Sequence, residues 1–199
     1  MVSRVRNLVG AAIVLAAVAA PANVAAQGWA VDLYAGVGLP LSTLGDFQSA
    51  GFSGGVGAGY IFPGRFMVRG DFAGEFLSSN TNGIPPTSEL AGMGVRLYHL
   101  DGSLAINFVP PDAGKAIFAF DFGAGITHVD LSGGTSQERP NSTTRFTIPA
   151  GVTFGYKMSD KIALFIRGRY YVMFMGDDRL FGSSTWQTIP LWAGISIRG

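Results

Sequence analysis

The feature that most restricts the fold of this chain is an alternation of apolar and polar residues with a period of two, which recurs from residue 29 to the C-terminus. Segments of roughly ten to fifteen residues carry it, and clusters of Gly, Pro, Asn, Asp and Ser separate these segments. No window after residue 27 shows the 3.6-residue period of an amphipathic helix. The pattern therefore predicts β-strands, whose side chains point alternately to two faces.

The alternation resolves into eight predicted strands, each with an apolar and a polar face. In the first strand, Trp29, Val31 and Leu33 share the apolar face, whereas Asp32 and Tyr34 share the other face. The remaining strands span about residues 52–62, 66–76, 90–108, 118–127, 145–157, 164–174 and 188–198.

The fourth strand changes parity in its middle. Its apolar residues are odd-numbered up to Leu97 and even-numbered from Tyr98 onward. One inserted residue would return the apolar side chains of both halves to the same face of the strand. We therefore predict a β-bulge near Leu97 and Tyr98. A hairpin turn at Asp101-Gly102 is the alternative, and it would give nine strands. The alternation continues through Gly102, which favours a single bulged strand.

The two faces of the predicted sheet differ in charge. With the bulge in place, the apolar face of the strands has no Asp, Glu, Lys or Arg, and it holds twelve of the fifteen phenylalanines. A wide, charge-free face suits hydrocarbon, and a glycine-rich face with charges of both signs suits the interior of a narrow tube. The predicted fold class is therefore all-β, an eight-stranded antiparallel up-and-down transmembrane β-barrel.

The charges of the polar face form the candidate site. The predicted lumen charge network consists of Asp32, Arg69, Asp71, Glu75, Arg96, Asp101, Asp121, Arg145, Arg167 and Arg169. Groups of this kind could form a gate, a proton path or a binding site. However, an eight-stranded barrel is only wide enough to be filled by its own side chains. A structural plug of ion pairs is therefore the favoured interpretation, and we do not expect a wide diffusion pore.

Composition removes several classes of function. The chain has no cysteine, which excludes disulfides, thiolate metal sites and thiol nucleophiles, and its two histidines cannot build a multi-histidine zinc site. Fourteen Lys and Arg against thirteen Asp and Glu give no basic excess for nucleic-acid binding. We expect no cofactor, no metal ion and no nucleic-acid partner.

Residues 1–26 have the pattern of a cleavable secretory signal peptide. Arg4 and Arg6 precede an apolar run from Leu8 to Ala20, and small residues follow up to Ala26. The run is too short for a comfortable membrane-spanning helix, so we favour cleavage after Ala26, with cleavage after Ala22 as the alternative. The predicted barrel domain then comprises residues 27–199.

The connections between strands predict an orientation. Those after strands 2, 4 and 6 are short, near Pro63-Gly64, Pro110 to Gly114 and Ser159-Asp160, and those after the odd-numbered strands are longer and polar. Short turns at one end and long loops at the other are typical of outer-membrane barrels. Because the number of strands is even, both termini lie on the short-turn side, which is periplasmic for an exported chain. Pairing of the first strand with the last is expected to close the barrel.

The chain resembles the outer-membrane β-barrel domain family, in particular its small OmpA/OmpX-like members. The resemblance rests on the signal peptide, Trp29 to Gly38, Phe122 to Ile126, Arg167 to Tyr171 and Ile189 to Ile197. It implies a Gram-negative outer-membrane protein that is delivered to the barrel assembly machinery by its last strand, contacts outer-membrane lipids and lipopolysaccharide, and is a monomer. Such strands usually end in an aromatic residue, whereas this one ends in Gly199, which implies a weaker assembly signal or a trimmed C-terminus. The peptidoglycan-binding function of OmpA is not implied.

Generic motifs support a location better than an activity. We expect a structural or surface-interaction role without catalysis, with residues 78–89 as the expected recognition loop and Asp177-Asp178 solvated. A narrow channel, or a binder for a small hydrophobic molecule, is the alternative. A lipid A-modifying enzyme built on His128, Asp130 and Ser132 is the third interpretation, but no nucleophile elbow accompanies these residues.

We predict that the exported chain begins at Gln27, because the small residues Ala25 and Ala26 complete the cleavage pattern. Intact-mass measurement of the protein purified from a membrane fraction tests this prediction. A chain that starts at Asn23 would support the alternative cleavage, and a chain that keeps Arg4 and Arg6 would contradict the signal-peptide assignment.

Overall fold

Eight antiparallel strands close into a barrel in the computed structural model, which describes residues 28–79, 93–109, 114–132, 142–176 and 183–199. The strands are β1 (Gly28–Leu41), β2 (Gln48–Ile61), β3 (Phe66–Ser79), β4 (Gly94–Asn107), β5 (Ala116–Ser132), β6 (Ser142–Lys157), β7 (Ile162–Phe174) and β8 (Thr185–Arg198). A short helix, α1 (Ser42–Phe47), connects β1 to β2. The predicted fold is confirmed. No helix among the described residues has the length and apolar character needed to cross a bilayer.

Several predicted features fall on other parts of the chain. The signal peptide (1–26), residues 80–89 of the expected recognition loop, and Asp177-Asp178 lie outside the described residues. Those three assignments stay predictions.

Each strand pairs with the next along the chain, and β1 also pairs with β8. The closing register runs from Ala30 opposite Arg198 to Leu41 opposite Gln187. In hydrocarbon an unpaired backbone amide or carbonyl costs several kcal/mol, so a sheet with a free edge does not survive there. Closure satisfies both edges with the chain's own backbone.

The strand faces are divided between the lipid side and the interior as the alternation predicts. On β5, for example, the outward Phe122 is 47% exposed while its neighbour Asp121 is fully buried inside. Outward phenylalanines also contact each other across strands. Phe108, Phe118 and Phe154 stack in a row near the short-turn end, with ring centroids 4.8 and 4.7 Å apart. This outer surface matches the apolar band and aromatic girdle of a membrane barrel.

The bulge predicted near Leu97 and Tyr98 is wrong. β4 pairs with β3 in one uninterrupted register from Leu77 opposite Val95 to Phe66 opposite Ile106, and its register with β5 is also continuous. The register shift between β2 and β3 lies at Ser49 to Phe52 instead. Because β4 is also unbroken at Gly102, the nine-strand alternative is wrong as well.

Without the bulge, the loop-side half of β4 faces the opposite way from the prediction. Val95 and Leu97 are buried inside the barrel, and Arg96 is exposed on the outer surface. The prediction assumed that apolar side chains must face lipid. In this part of the lumen they pack instead against one another and against Leu44 of α1.

The difference between the two ends of the barrel is less sharp than predicted. The connections 62–65 and 158–161 are short turns, as expected. However, the connection after β1 is only the six-residue helix α1, which is shorter than the connection 108–115 at the other end. Leu44 of this helix is fully buried, so the first connection turns inward over the lumen.

The C-terminal residue lies against an aromatic ring of the first strand. The Gly199 amide donates a hydrogen bond to the Trp29 carbonyl (3.1 Å). A Cβ on Gly199 would lie 2.6 Å from the Trp29 indole nitrogen, so the ring covers the position that a side chain would need. Trp29 therefore supplies aromatic surface at the end of the last strand, where Gly199 has none.

Phe122→Arg should destabilise the barrel by about 2–4 kcal/mol, because it places a cation near the middle of the lipid-facing band. The matched variant Phe62→Arg, beside the β2–β3 turn, should cost about 0–1 kcal/mol. Urea unfolding in phospholipid vesicles measures both free energies relative to wild type. Equal losses for the two variants would contradict the outward placement of Phe122.

Candidate functional site: the charged interior of the barrel

Five strands place seven ionisable side chains in the middle of the lumen. This core network consists of Asp32 on β1, Arg69 and Asp71 on β3, Asp101 on β4, Asp121 on β5, and Arg167 and Arg169 on β7. Each of them is at most 6% exposed. Glycines on the neighbouring strands leave room for them. A Cβ on Gly57 would contact the Asp71 carboxylate, and one on Gly151 would lie 2.6 Å from Arg169 Cγ.

Arg169 is the centre of the core network. Its Nη1 lies 2.8 Å from Asp101 Oδ1 and 3.3 Å from Asp71 Oδ2, and its Nη2 lies 2.7 Å from Asp121 Oδ1. Nη2 also donates to Ser103 Oγ at 2.9 Å. One guanidinium thus contacts carboxylates from three different strands.

Arg69 and Arg167 extend the network toward the short-turn end. Arg69 Nε donates to Asp71 Oδ2 at 2.7 Å, and Arg167 Nη2 donates to Asp32 Oδ2 at 2.7 Å. The Arg167 guanidinium also lies 4.5 Å from the centroid of the Phe165 ring, a cation–π geometry. Because isolated buried charges are very costly, these contacts are a condition for burying the seven groups.

A second polar layer lies on the loop side of the core network. This histidine layer consists of Glu75, His99, Thr127, Thr147 and Thr188. His99 Nε2 lies 2.8 Å from Glu75 Oε1, and His99 Nδ1 lies 2.8 Å from Thr127 Oγ1. Thr127 bonds to Thr147 at 2.6 Å, and Thr188 donates to Glu75 Oε1 at 2.9 Å. The chain of hydrogen bonds joins five strands across the lumen.

Tyr171 connects the two layers. Its ring stacks on His99 with centroids 4.1 Å apart. Its hydroxyl donates to Asp101 Oδ2 at 3.1 Å and accepts from Arg169 Nη1 at 3.2 Å. Since Tyr171 is fully buried, it fills the space between imidazole and guanidinium.

The third layer, nearest the loops, is apolar. Its buried members are Leu44, Leu77, Val95, Leu97, Val129, Met173, Met175 and Trp186. Seven of them come from the strands or the segment just after β7, and Leu44 comes from α1. Next to this apolar layer, Gln48 Nε2 donates to the Met93 carbonyl at 2.9 Å. Hydrophobic side chains therefore separate the charged interior from the loop end.

The order Thr127, His99, Glu75 is that of a hydroxyl, an imidazole and a carboxylate in a nucleophilic triad. A triad also needs access for a substrate, and here His99 is 1% exposed while Thr127 and Glu75 are fully buried. His128, by contrast, is exposed on the outer face, where its Nδ1 contacts Thr144 Oγ1 at 3.0 Å. Burial of Thr127, His99 and Glu75 therefore leaves this triad-like set closed to a substrate.

The enzyme interpretation also needed His128 beside Ser132. Ser132 Oγ instead contacts the Gly94 carbonyl, at 3.5 Å. No group of three or more acidic or histidine side chains in the described ranges has the geometry of a metal site.

Two residues of the predicted lumen network lie outside these layers. Arg96 faces outward and does not belong to the lumen, because β4 has no bulge. Arg145 has the inward parity but is only half-buried near the loop end of β6, and its Nη1 lies near Gly176. The other eight are brought together, seven in the core network and Glu75 in the histidine layer.

Tyr171 and the buried threonines were not predicted to have a role, although they share the parity of the charged residues. That shared parity is the signal that could have identified them as interior groups. The same signal fails for part of the apolar layer, because two of its eight members, Val95 and Leu97, have the parity on β4 that was assigned to lipid, and Leu44 comes from a helix.

Comparison with known proteins identifies relatives of this barrel. Residues 11–188 match the family described as outer membrane protein beta-barrel domain. No curated protein sequence matches the chain. Among solved structures, the chain resembles Neisserial surface protein A with a TM-score of 0.60 at 15% identity, over 87% of this chain and 97% of that one.

Two further solved structures resemble the chain. A major outer membrane protein from Thermus thermophilus has a TM-score of 0.61 at 14% identity, over 87% of this chain and all of that one. Ail from Yersinia pestis has a TM-score of 0.50 at 14% identity, over 87% and 97% of the two chains. At these identities the likeness concerns the fold.

Arg169→Met should destabilise the protein by about 3–5 kcal/mol, because it leaves the carboxylates around Arg169 buried without their central cation. Arg96→Met is the matched control on the outer surface, and it should change stability by no more than about 0.5 kcal/mol. Urea unfolding of both variants measures the free energies. A loss for Arg169→Met as small as that of the control would show that the core network contributes little to stability.

Proposed function

Because the chain belongs to the outer membrane protein beta-barrel domain family, we propose that it is an outer-membrane barrel with a sealed lumen and a structural or surface-interaction role. The core network carries this proposal. Seven ionisable groups at the centre are bonded to one another and are nearly inaccessible to solvent. An ion that crossed the lumen would have to displace these pairs.

The apolar layer supports the same conclusion. Hydrophobic constrictions exclude water and so oppose the passage of ions. Trp186, Met173 and Leu97 are fully buried and fill the lumen next to the loop end. This close packing favours a seal over a binding chamber for a hydrophobic molecule.

We propose no catalytic role. The imidazole with a triad-like environment, His99, is enclosed by protein, and the accessible imidazole, His128, contacts Thr144 rather than Ser132. Recognition is assigned to the loops, in particular residues 78–89, because loops on a rigid barrel vary freely. In the proposed orientation the termini and short turns face the periplasm, and α1 and the longer loops face outward.

The outer surface offers a contact for lipid headgroups near the loop end. Phe52, Phe76 and Tyr98 form a row on β2 to β4, with ring centroids 6.3 and 6.0 Å apart, and His128 on β5 continues the row 6.5 Å from Tyr98. Arg96 lies one outward position closer to the loops than Tyr98. An aromatic row marks the edge of the apolar band, so Arg96 lies at headgroup depth. We propose that it contacts a phosphate of lipopolysaccharide.

Arg96→Gln should weaken binding of phosphorylated lipid A about fivefold, since a cation near an anionic surface contributes about 1 kcal/mol. Arg65→Gln, in the turn at the opposite end, is the matched control and should leave binding unchanged. Native mass spectrometry with phosphorylated and dephosphorylated lipid A measures both. Equal affinity of wild type and Arg96→Gln for the phosphorylated form would contradict the proposed contact.

Planar-bilayer recordings test the sealed lumen. We expect no steady conducting steps from the folded wild-type protein, because ion pairs and apolar side chains fill its interior. The comparison is a double variant, Arg169→Ser with Trp186→Ala, which replaces one large side chain in the core network and one in the apolar layer by small ones. This variant should conduct if its heat-modifiable gel mobility shows that it is folded. Steady conducting steps from wild type would overturn the sealed-lumen proposal.

A further inference from the structure

A small cavity lies between the core network and the short-turn end of the barrel. Its volume is about 30 Å³, which is room for one small ion or for one or two water molecules. Three arginines, Arg69, Arg167 and Arg198, line it together with a single carboxylate, Asp32. Its other polar lining residues are Asn107, Thr153 and Ser196. The charged groups of the walls are therefore predominantly cationic.

Each of the three arginines has a buried nitrogen without a hydrogen-bond acceptor among the described residues. These atoms are Arg69 Nη2, Arg167 Nη1 and Arg198 Nε. The first two are near carboxylates, at 3.5 Å from Asp121 and 3.6 Å from Asp71, which is ion-pair distance but too long for a hydrogen bond. A buried donor without an acceptor is costly, particularly on a charged group. The hydrogen-bonding capacity of the three guanidinium groups is thus incompletely satisfied by the described residues.

The carboxylate of the cavity is already engaged. Asp32 Oδ2 accepts the 2.7 Å hydrogen bond from Arg167 Nη2 and lies 3.8 Å from Arg69 Nη1. Thr153 Oγ1 accepts a hydrogen bond from Arg167 Nε at 3.0 Å, so the hydroxyl hydrogen of Thr153 points away from Arg167. The walls thus hold three guanidinium groups against one carboxylate that is already paired, which favours an anion over a metal cation.

The surroundings of the cavity carry the same sign of charge. Arg65, Lys115, Lys157 and Lys161 lie at or next to the short turns, and Asp160 is the opposing charge among the described residues of those turns. A mouth lined by one sign of charge raises the local concentration of counter-ions. Anions are therefore concentrated at the end of the barrel where the cavity lies.

We propose that this cavity is a binding site for a small inorganic monovalent anion of the size of chloride, held by the guanidinium groups of Arg167, Arg198 and Arg69. The small volume favours a small inorganic anion over a large organic one such as gluconate. Arg198 is next to the C-terminus on β8, whereas Arg69 and Arg167 lie on β3 and β7. A bound anion would link these three strands at the short-turn end and stabilise closure of the barrel there.

Thermal unfolding in different sodium salts tests the site. The folded, detergent-solubilised mature chain is heated in chloride, bromide or gluconate at equal ionic strength, and heat-modifiable gel mobility gives the midpoint. Chloride and bromide should raise the midpoint relative to gluconate in a saturable manner, by about 3 °C at tenfold excess over the dissociation constant. Gluconate is too large for the cavity and reports the general effect of salt.

Arg198→Gln should abolish the difference between chloride and gluconate, whereas the matched variant Arg65→Gln, on an exposed turn, should keep it. A difference that persists unchanged in Arg198→Gln, or no difference in wild type at any concentration, would overturn the proposal. Should Arg198→Gln fail to fold, anomalous diffraction from wild-type crystals soaked in bromide decides. A bromide peak among the three arginines supports the site, and its absence there rejects it.

Discussion

The structure depends on one constraint, which is that a chain in hydrocarbon must satisfy all its backbone hydrogen bonds internally. Pairing of β1 with β8 meets this condition by removing both edges of the sheet. Closure then divides every strand into a lipid side and an interior side. Most phenylalanines occupy the first, and charges, threonines and glycines occupy the second. The layers of the interior follow from the small diameter of the closed tube, which side chains must fill.

Most of the fold was predictable from the sequence because a period of two assigns each residue to a face. Phe122 and Asp121 show this clearly, since adjacent residues of such different character leave one possible orientation of β5. The prediction failed on β4, where Val95 and Leu97 were assigned to lipid and Arg96 to the lumen. Lipid and an apolar layer of the lumen are equivalent environments for a valine, so hydrophobicity alone cannot distinguish them.

The candidate site was predictable in membership but not in its contacts. Parity places Arg167 and Asp32 inside, yet they are 135 residues apart in sequence, and their 2.7 Å contact depends on the strand register around the whole barrel. The bond between His99 and Glu75 joins β4 to β3 in the same way. Register is set by pairing on both sides of each strand, and single-strand patterns contain no information about it. The position of Leu44 was equally inaccessible, because α1 is a short helix in a connection that was expected to be a loop.

The position of Arg169 among three carboxylates has an evolutionary consequence. On the outer surface, leucine, isoleucine and phenylalanine are nearly equivalent in contact with lipid, so single substitutions among them change the stability of the barrel little. Inside, replacement of Arg169 leaves partners on β3, β4 and β5 without their cation. Sequences of related barrels should therefore diverge rapidly on the outer surface, while interior charges change together in compensating sets. Correlated substitutions between distant strands would then reflect the closure of the barrel.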